Sequence, residues 1–245
     1  MEARGVPGGR INVGRAVSEV FSIYTQNFAA LFTSALVVFV LVGLVNGLLR
    51  STGGIILAVI ASIIQLAANV LYTGFVVRLV QDVRDGRRDE TVGDLFSAAS
   101  PSIVPLAAFC ILLAIGVVIG FIFFIIPGLI LLTYWSVGAP AIVVEGTGPL
   151  DAFARSWRLV RGDAWAVFGV LLVVFLIVFV VAAILDAIGV GIGAGALVVA
   201  TITAAVITAP FPALAISVMY FDLGGEGAVP AGATPTAPAP PPPTS

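Results

Sequence analysis

Histidine and lysine are both absent from this chain of 245 residues, and cysteine occurs once, as Cys110. Without histidine the chain loses the commonest general base and the commonest metal ligand. A single cysteine excludes an internal disulfide and a cysteine-based zinc site. Charge is scarce as well, at 10% of residues, against about 25% in an ordinary soluble domain. The 11 basic residues are all arginine and 13 acids offset them, so no basic face for nucleic acid is expected. What fills the space is apolar: 60% of residues are hydrophobic and the mean hydropathy is +1.18. Too little charge remains to coat a water-soluble particle, so the sequence reads as an integral membrane protein.

A helix needs about 20 apolar residues to cross roughly 30 Å of hydrocarbon. Phe28–Leu49, Gly54–Val77, Ile103–Ile126, Ala164–Leu185 and Gly193–Phe221 meet that length and carry no charge. Gly128–Val144 is shorter and contains Pro140. Ile126-Pro127-Gly128 reads as a tight turn joining it to the preceding helix, which favours a sixth span over a re-entrant or tilted segment. Pro210 and Pro212 predict a kink or break in the last span. Ten arginines fall on one side of this arrangement and only Arg50 on the other, a bias that places both termini in the cytoplasm. No cleavable signal peptide is read in the first 26 residues, which are mixed and polar. The expected organisation is an N-terminal cytoplasmic segment (1–27), a six-helix transmembrane domain (28–223) and a Pro/Ala-rich cytoplasmic tail (224–245) with almost nothing to bury.

A short amphipathic helix is predicted before spans one, three and five. Val13, Val17, Val20, Tyr24 and Phe28 form the first apolar stripe, with Arg15 and Glu19 paired four residues apart. Thr91-Val-Gly-Asp94 opens the second, followed by Leu95, Phe96 and Ala99. Pro149 suits the start of the third, whose stripe is Leu150, Phe153, Trp157 and Val160, with Asp151 four residues before Arg155. Aligning Val17, Phe96 and Phe153 reads the all-α chain as three copies of an amphipathic helix plus a helix hairpin.

Catalysis needs convergent titratable groups, and the spans supply none. Glu145 and Asp186 are expected at helix ends, open to water or headgroups, and the acids and arginines of 82–90 as a solvated connector. Cys110, among apolar neighbours, reads as an inert packing residue. The chain is therefore read as a non-enzyme with no cofactor and no metal site. Two sets of residues stand out. Ser62, Gln65, Asn69, Tyr72 and Thr73 share one face of span two, with Asn46 nearby, and either bond helices together or line a polar pathway. Arg155, Trp157, Arg158 and Arg161 sit on the third amphipathic helix, where an indole and guanidinium groups suit the lipid headgroup layer. The alternative for that helix is a collar made with the other two. Gly43–Gly47, Gly116–Gly120 and Gly191–Gly195 have the spacing of close helix crossings.

From Pro127 onward the order Ile126-Pro127-Gly128, Tyr134, Pro140, Glu145-Gly146, Ala152, Arg155-Ser156-Trp157, Arg161-Gly162 and Trp165 resembles the membrane domain attached to some bacterial glycerophosphoryl diester phosphodiesterases, and related stand-alone membrane proteins. The resemblance covers roughly Thr91–Tyr220. It implies a six-helix bacterial inner-membrane module without phosphodiesterase activity, because the hydrolase half of such enzymes is a separate barrel that uses histidine. The functional expectation is a scaffold, an enzyme partner or a lipid-contacting module of the cytoplasmic membrane. Its partners would be membrane lipids and an envelope or lipid-metabolism protein. The alternative is a component of a small-solute or lipid transporter that uses the span-two polar face.

Overall fold

The computed structural model describes residues 11–51, 54–85 and 92–225. Arg4 and Arg10, the connector residues Arg87, Arg88, Asp89, Glu90 and Thr91, and the Pro/Ala-rich tail from Glu226 lie outside the described residues. The described chain contains eleven α-helices, one 3-10 turn (Ser100–Ser102) and no strand. In order they are α1 (Val13–Gln26), α2 (Phe28–Ser51), α3 (Ile55–Asp85), α4 (Val92–Ala99), α5 (Ile103–Phe123), α6 (Ile125–Trp135), α7 (Gly138–Glu145), α8 (Pro149–Val160), α9 (Ala164–Ile192), α10 (Ala194–Thr208) and α11 (Pro210–Asp222). Six stretches are long and apolar enough to cross a membrane: Phe28–Asn46, Ile56–Asp85, Gly93–Phe123, Ile125–Glu145, Ala164–Ile192 and Gly195–Asp222.

Three of these stretches are interrupted, the third by the 3-10 turn between α4 and α5. The last breaks at Ala209, where Pro210 opens α11 without the N–H that a continuous helix would donate. The fourth breaks between α6 and α7, where the Ser136 hydroxyl turns back to the Thr133 carbonyl at 2.9 Å. The reversal before it differs from the expected Pro-Gly turn. Phe124 is the extended residue (φ −167, ψ 155) and α6 begins at Ile125, so Pro127 sits in a first helical turn, where its missing N–H costs nothing. Gly128 serves close approach: a Cβ there would lie 2.6 Å from the Phe121 ring, and one on Gly120 would lie 3.0 Å from Gly128 Cα. Gly116 is equally confined, with Trp135 at 2.7 Å. Gly191 and Gly195 do not behave as their spacing predicts, since a Cβ on either meets open space. The α9–α10 crossing is made at Gly189, where a Cβ would lie 2.7 Å from Leu197 Cα.

The core gathers around α11, which buries Phe211, Leu214, Val218, Met219 and Tyr220 against α1, α3, α7 and α9. The amphipathic helices dock onto this core. Asn12 caps α1 by accepting the Arg15 N–H, and Ala16, Val20 and Ile23 face inward. Tyr24 stacks on Phe211 with centroids 4.7 Å apart, and burial there pushes its phenol pKa up from the ordinary value. Phe96 of α4 stacks on Phe75 at 4.6 Å. Helix α8 closes a second apolar cluster, with Ala152 beside Leu106, Phe109 and Ile142. At the opposite end the helices carry their large apolar side chains outward. Ile122, Phe123, Phe124, Ile125 and Ile126 are all exposed, a surface stable only in an apolar solvent.

Candidate functional site

Charge is concentrated at the end where α1, α3, α8 and α11 meet. The last turn of α11 supplies three consecutive anchors. Asp222, with a side chain only 7% exposed, accepts from Arg15 of α1 at 3.1 Å and from Arg84 of α3 at 3.0 Å. Phe221 lies under the Arg84 guanidinium, 5.3 Å from ring centroid to carbon. The Tyr220 hydroxyl donates to Glu145 at the end of α7. Arg84 also holds Glu19 of α1 at 2.6 Å. Glu145 accepts from Arg155 of α8 through Nε, at 2.8 and 3.0 Å, and through the terminal nitrogen at 2.8 Å.

Several expectations change here. Arg15 and Glu19 are not partners, because each reaches a more buried group on another helix. Arg155 bonds Glu145 across the α7–α8 turn, and Glu145 is 11% exposed rather than open to water. Asp82, Arg84 and Asp85 belong to the final turns of α3, not to a solvated connector. Asp186 lies within α9, six residues before its end, and accepts from Thr201 of α10 at 3.0 Å.

The span-two residues spread over two environments. Tyr72 is buried and donates to the Leu31 carbonyl at 3.1 Å, tying α3 to α2. Gln65 receives the Asn46 amide at 3.1 Å, a second tie between the same helices. Ser62 and Asn69 are exposed and bond backward to their own helix, at Ala58 and Gln65. Thr73 is half-buried. A stripe of this width on one helix necessarily has one edge in the core and another outside.

On α8 the fixed and free groups separate cleanly. Ser156 is buried and donates to the Tyr134 carbonyl at 2.8 Å, and Phe153 packs between Phe109 and Trp135. Trp157 stacks on Tyr134, with centroids 4.2 Å apart. α8 is thereby docked onto α5, α6 and α7. Arg158 and Arg161 are exposed, and neither forms an ion pair among the described residues. A cleft of about 500 Å³ lies between α6 and α9, lined by Leu129, Ile130, Thr133, Tyr134, Trp165 and Phe168, with Ile126 and Ala164 at its ends. Trp165, 87% exposed, is the residue the sequence reading missed as part of a site. An indole one residue into a long apolar helix was the available signal.

Comparison with known proteins adds one relationship. No protein-family model and no solved structure matches the chain. Over 98 residues it is 31% identical to a UPF0259 membrane protein from Pectobacterium carotovorum subsp. carotovorum (strain PC1). That alignment takes in 40% of this chain and 39% of the relative's length. The chain is a multi-pass membrane protein. These comparisons lend no support to the phosphodiesterase-domain resemblance, which rests on the quoted residues alone.

Proposed function

We propose that the protein is a non-enzymatic, lipid-contacting scaffold of the bacterial cytoplasmic membrane, with its charged end in the cytoplasm and an envelope or lipid-metabolism protein as partner. The observation that carries this reading is the exposed set Trp157, Arg158, Arg161 and Trp165 at one end of an apolar bundle. Indoles partition to the headgroup boundary, and guanidinium groups near an anionic leaflet gain on the order of 1 kcal/mol each. The arginine bias of the sequence supports the same orientation. Cysteine labelling in intact and permeabilised cells tests it. R158C should react with an impermeant maleimide only after permeabilisation, and labelling of R158C in intact cells would overturn the orientation.

A transport reading draws on one observation. Asn46 Oδ1 is buried and has no hydrogen-bond partner among the described residues, beside the Asn46–Gln65 bond. A water or a polar solute at that point would satisfy it. Loss of a measured solute flux in Q65L/N69L, with undiminished folded protein, would favour this reading over the scaffold.

A further inference from the structure

The cleft between α6 and α9 combines two properties that few ligands match together. Its walls are mostly hydrocarbon, from Leu129, Ile130 and Phe168, and the Thr133 hydroxyl among them already donates to the Leu129 carbonyl at 2.7 Å. A polar solute would gain little there. Both flanking helices belong to apolar spans, so the cleft is reached from the membrane interior.

The charged end of the cleft differs from the rest of the molecule. Arg15, Arg84 and Arg155 are each neutralised by carboxylates on other helices, whereas Arg158 and Arg161 have no such partner among the described residues. Trp157 and Arg161 are four residues apart and so share one side of α8. That side is oriented by Trp157 stacking on Tyr134, itself a wall of the cleft. Arg161 also precedes Ala164, at the cleft's end, by three residues. Arg161, uncompensated, therefore lies close in sequence to the Ala164 and Trp165 wall of an apolar slot, and exposed Arg158 precedes Arg161 by three residues.

We propose that this cleft binds one molecule of anionic phospholipid, an acyl chain lying between α6 and α9 and the phosphate meeting Arg161 and Arg158. The inference rests on the lipid-contacting reading above and gives it a defined site and headgroup charge.

The chain's only tryptophans are Trp135, Trp157 and Trp165, and two of the three flank the cleft, so quenching by brominated lipid reads its occupancy directly. The full-length protein is reconstituted in phosphatidylcholine vesicles containing increasing fractions of phosphatidylglycerol with dibrominated chains, or of dibrominated phosphatidylcholine. Dibrominated phosphatidylglycerol should quench at a mole fraction on the order of tenfold lower, as two arginines near a phosphate predict. R158Q/R161Q should remove that difference while leaving maximal quenching intact, and W157F/W165F should remove most of the quenchable signal. I130F and L129F, which narrow the slot and keep both arginines, should each weaken quenching by either lipid. Preference for phosphatidylglycerol undiminished in both slot variants would overturn the acyl-chain site and leave surface headgroup contact standing. Equal quenching by the two lipids in the unaltered protein would overturn the site and the lipid-contacting reading together.

Discussion

Replacing Glu145 with glutamine keeps the shape of the side chain and removes its charge. In the native protein one carboxylate accepts from Nε and a terminal nitrogen of Arg155 and from the Tyr220 hydroxyl. Glutamine has only one acceptor oxygen and presents an NH2 toward donors. Hydrogen bonds to charged groups contribute about 1.5–3 kcal/mol each, and removing one partner of a buried pair costs about 3–5 kcal/mol. The Arg155 side chain retains 25% exposure, so water recovers part of the loss. We expect a net cost of about 2–3 kcal/mol for E145Q. With the slope for chains of this size, roughly 2–4 °C per kcal/mol, Tm falls by about 4–12 °C. Thermal unfolding of the full chain in detergent, followed by circular dichroism, measures it. R155Q alone should cost a similar amount, and the double variant E145Q/R155Q should cost clearly less than the two together, because removing both charges leaves neither stranded. Additive losses, or an E145Q protein that melts with the unaltered one, would refute the argument that this pair braces α7, α8 and α11.

Three further outcomes follow from other parts of the bundle. G128V drives a side chain into the Phe121 ring and should abolish folded protein in a detergent size-exclusion assay, whereas G191A, which faces open space, should elute as the unaltered protein does. F124C, at an exposed apolar hairpin tip, should react with a charged maleimide far more slowly than S51C, whose connector is polar in sequence; equal rates would place the tip in water. Q65L/N69L should lower thermal stability modestly, by about 0.6–2 kcal/mol per lost interhelical contact, since only Gln65 bonds another helix.

Much of the architecture was legible because the signals for it are local. Hydropathy located the spans, proline located the break before α11, and the 3.6-residue stripe located α1, α4 and α8. Pairing of charge was not legible. Four-residue spacing suggested Arg15–Glu19 and Asp151–Arg155, yet exposed pairs of that kind contribute only about 0.3–0.5 kcal/mol. The pairs that formed link residues 10, 65, 138 and 207 positions apart, on different helices, where packing rather than spacing chooses the partner. Glycine spacing failed for a related reason. Gly116–Gly120 and Gly191–Gly195 are identical as patterns, and only the partner surface decides that Trp135 and Gly128 press on the first while nothing presses on the second.

The same distinction separates what holds the molecule together from what is free to act. α11 enters the core because Pro210 redirects the chain at Ala209, and its final turn then reaches α1, α3 and α7 through Asp222, Phe221 and Tyr220. Arg15, Arg84 and Arg155 are committed to that network, so altering them changes the fold along with any surface property. Arg158 and Arg161 share no carboxylate partner with it among the described residues. Substitutions that share no partner act additively. Neutralising Arg158 and Arg161 should therefore change what the protein binds while leaving its melting behaviour where E145Q does not. Arg155 serves the structure, whereas Arg158 and Arg161, three and six residues further on, are exposed and outside that network among the described residues.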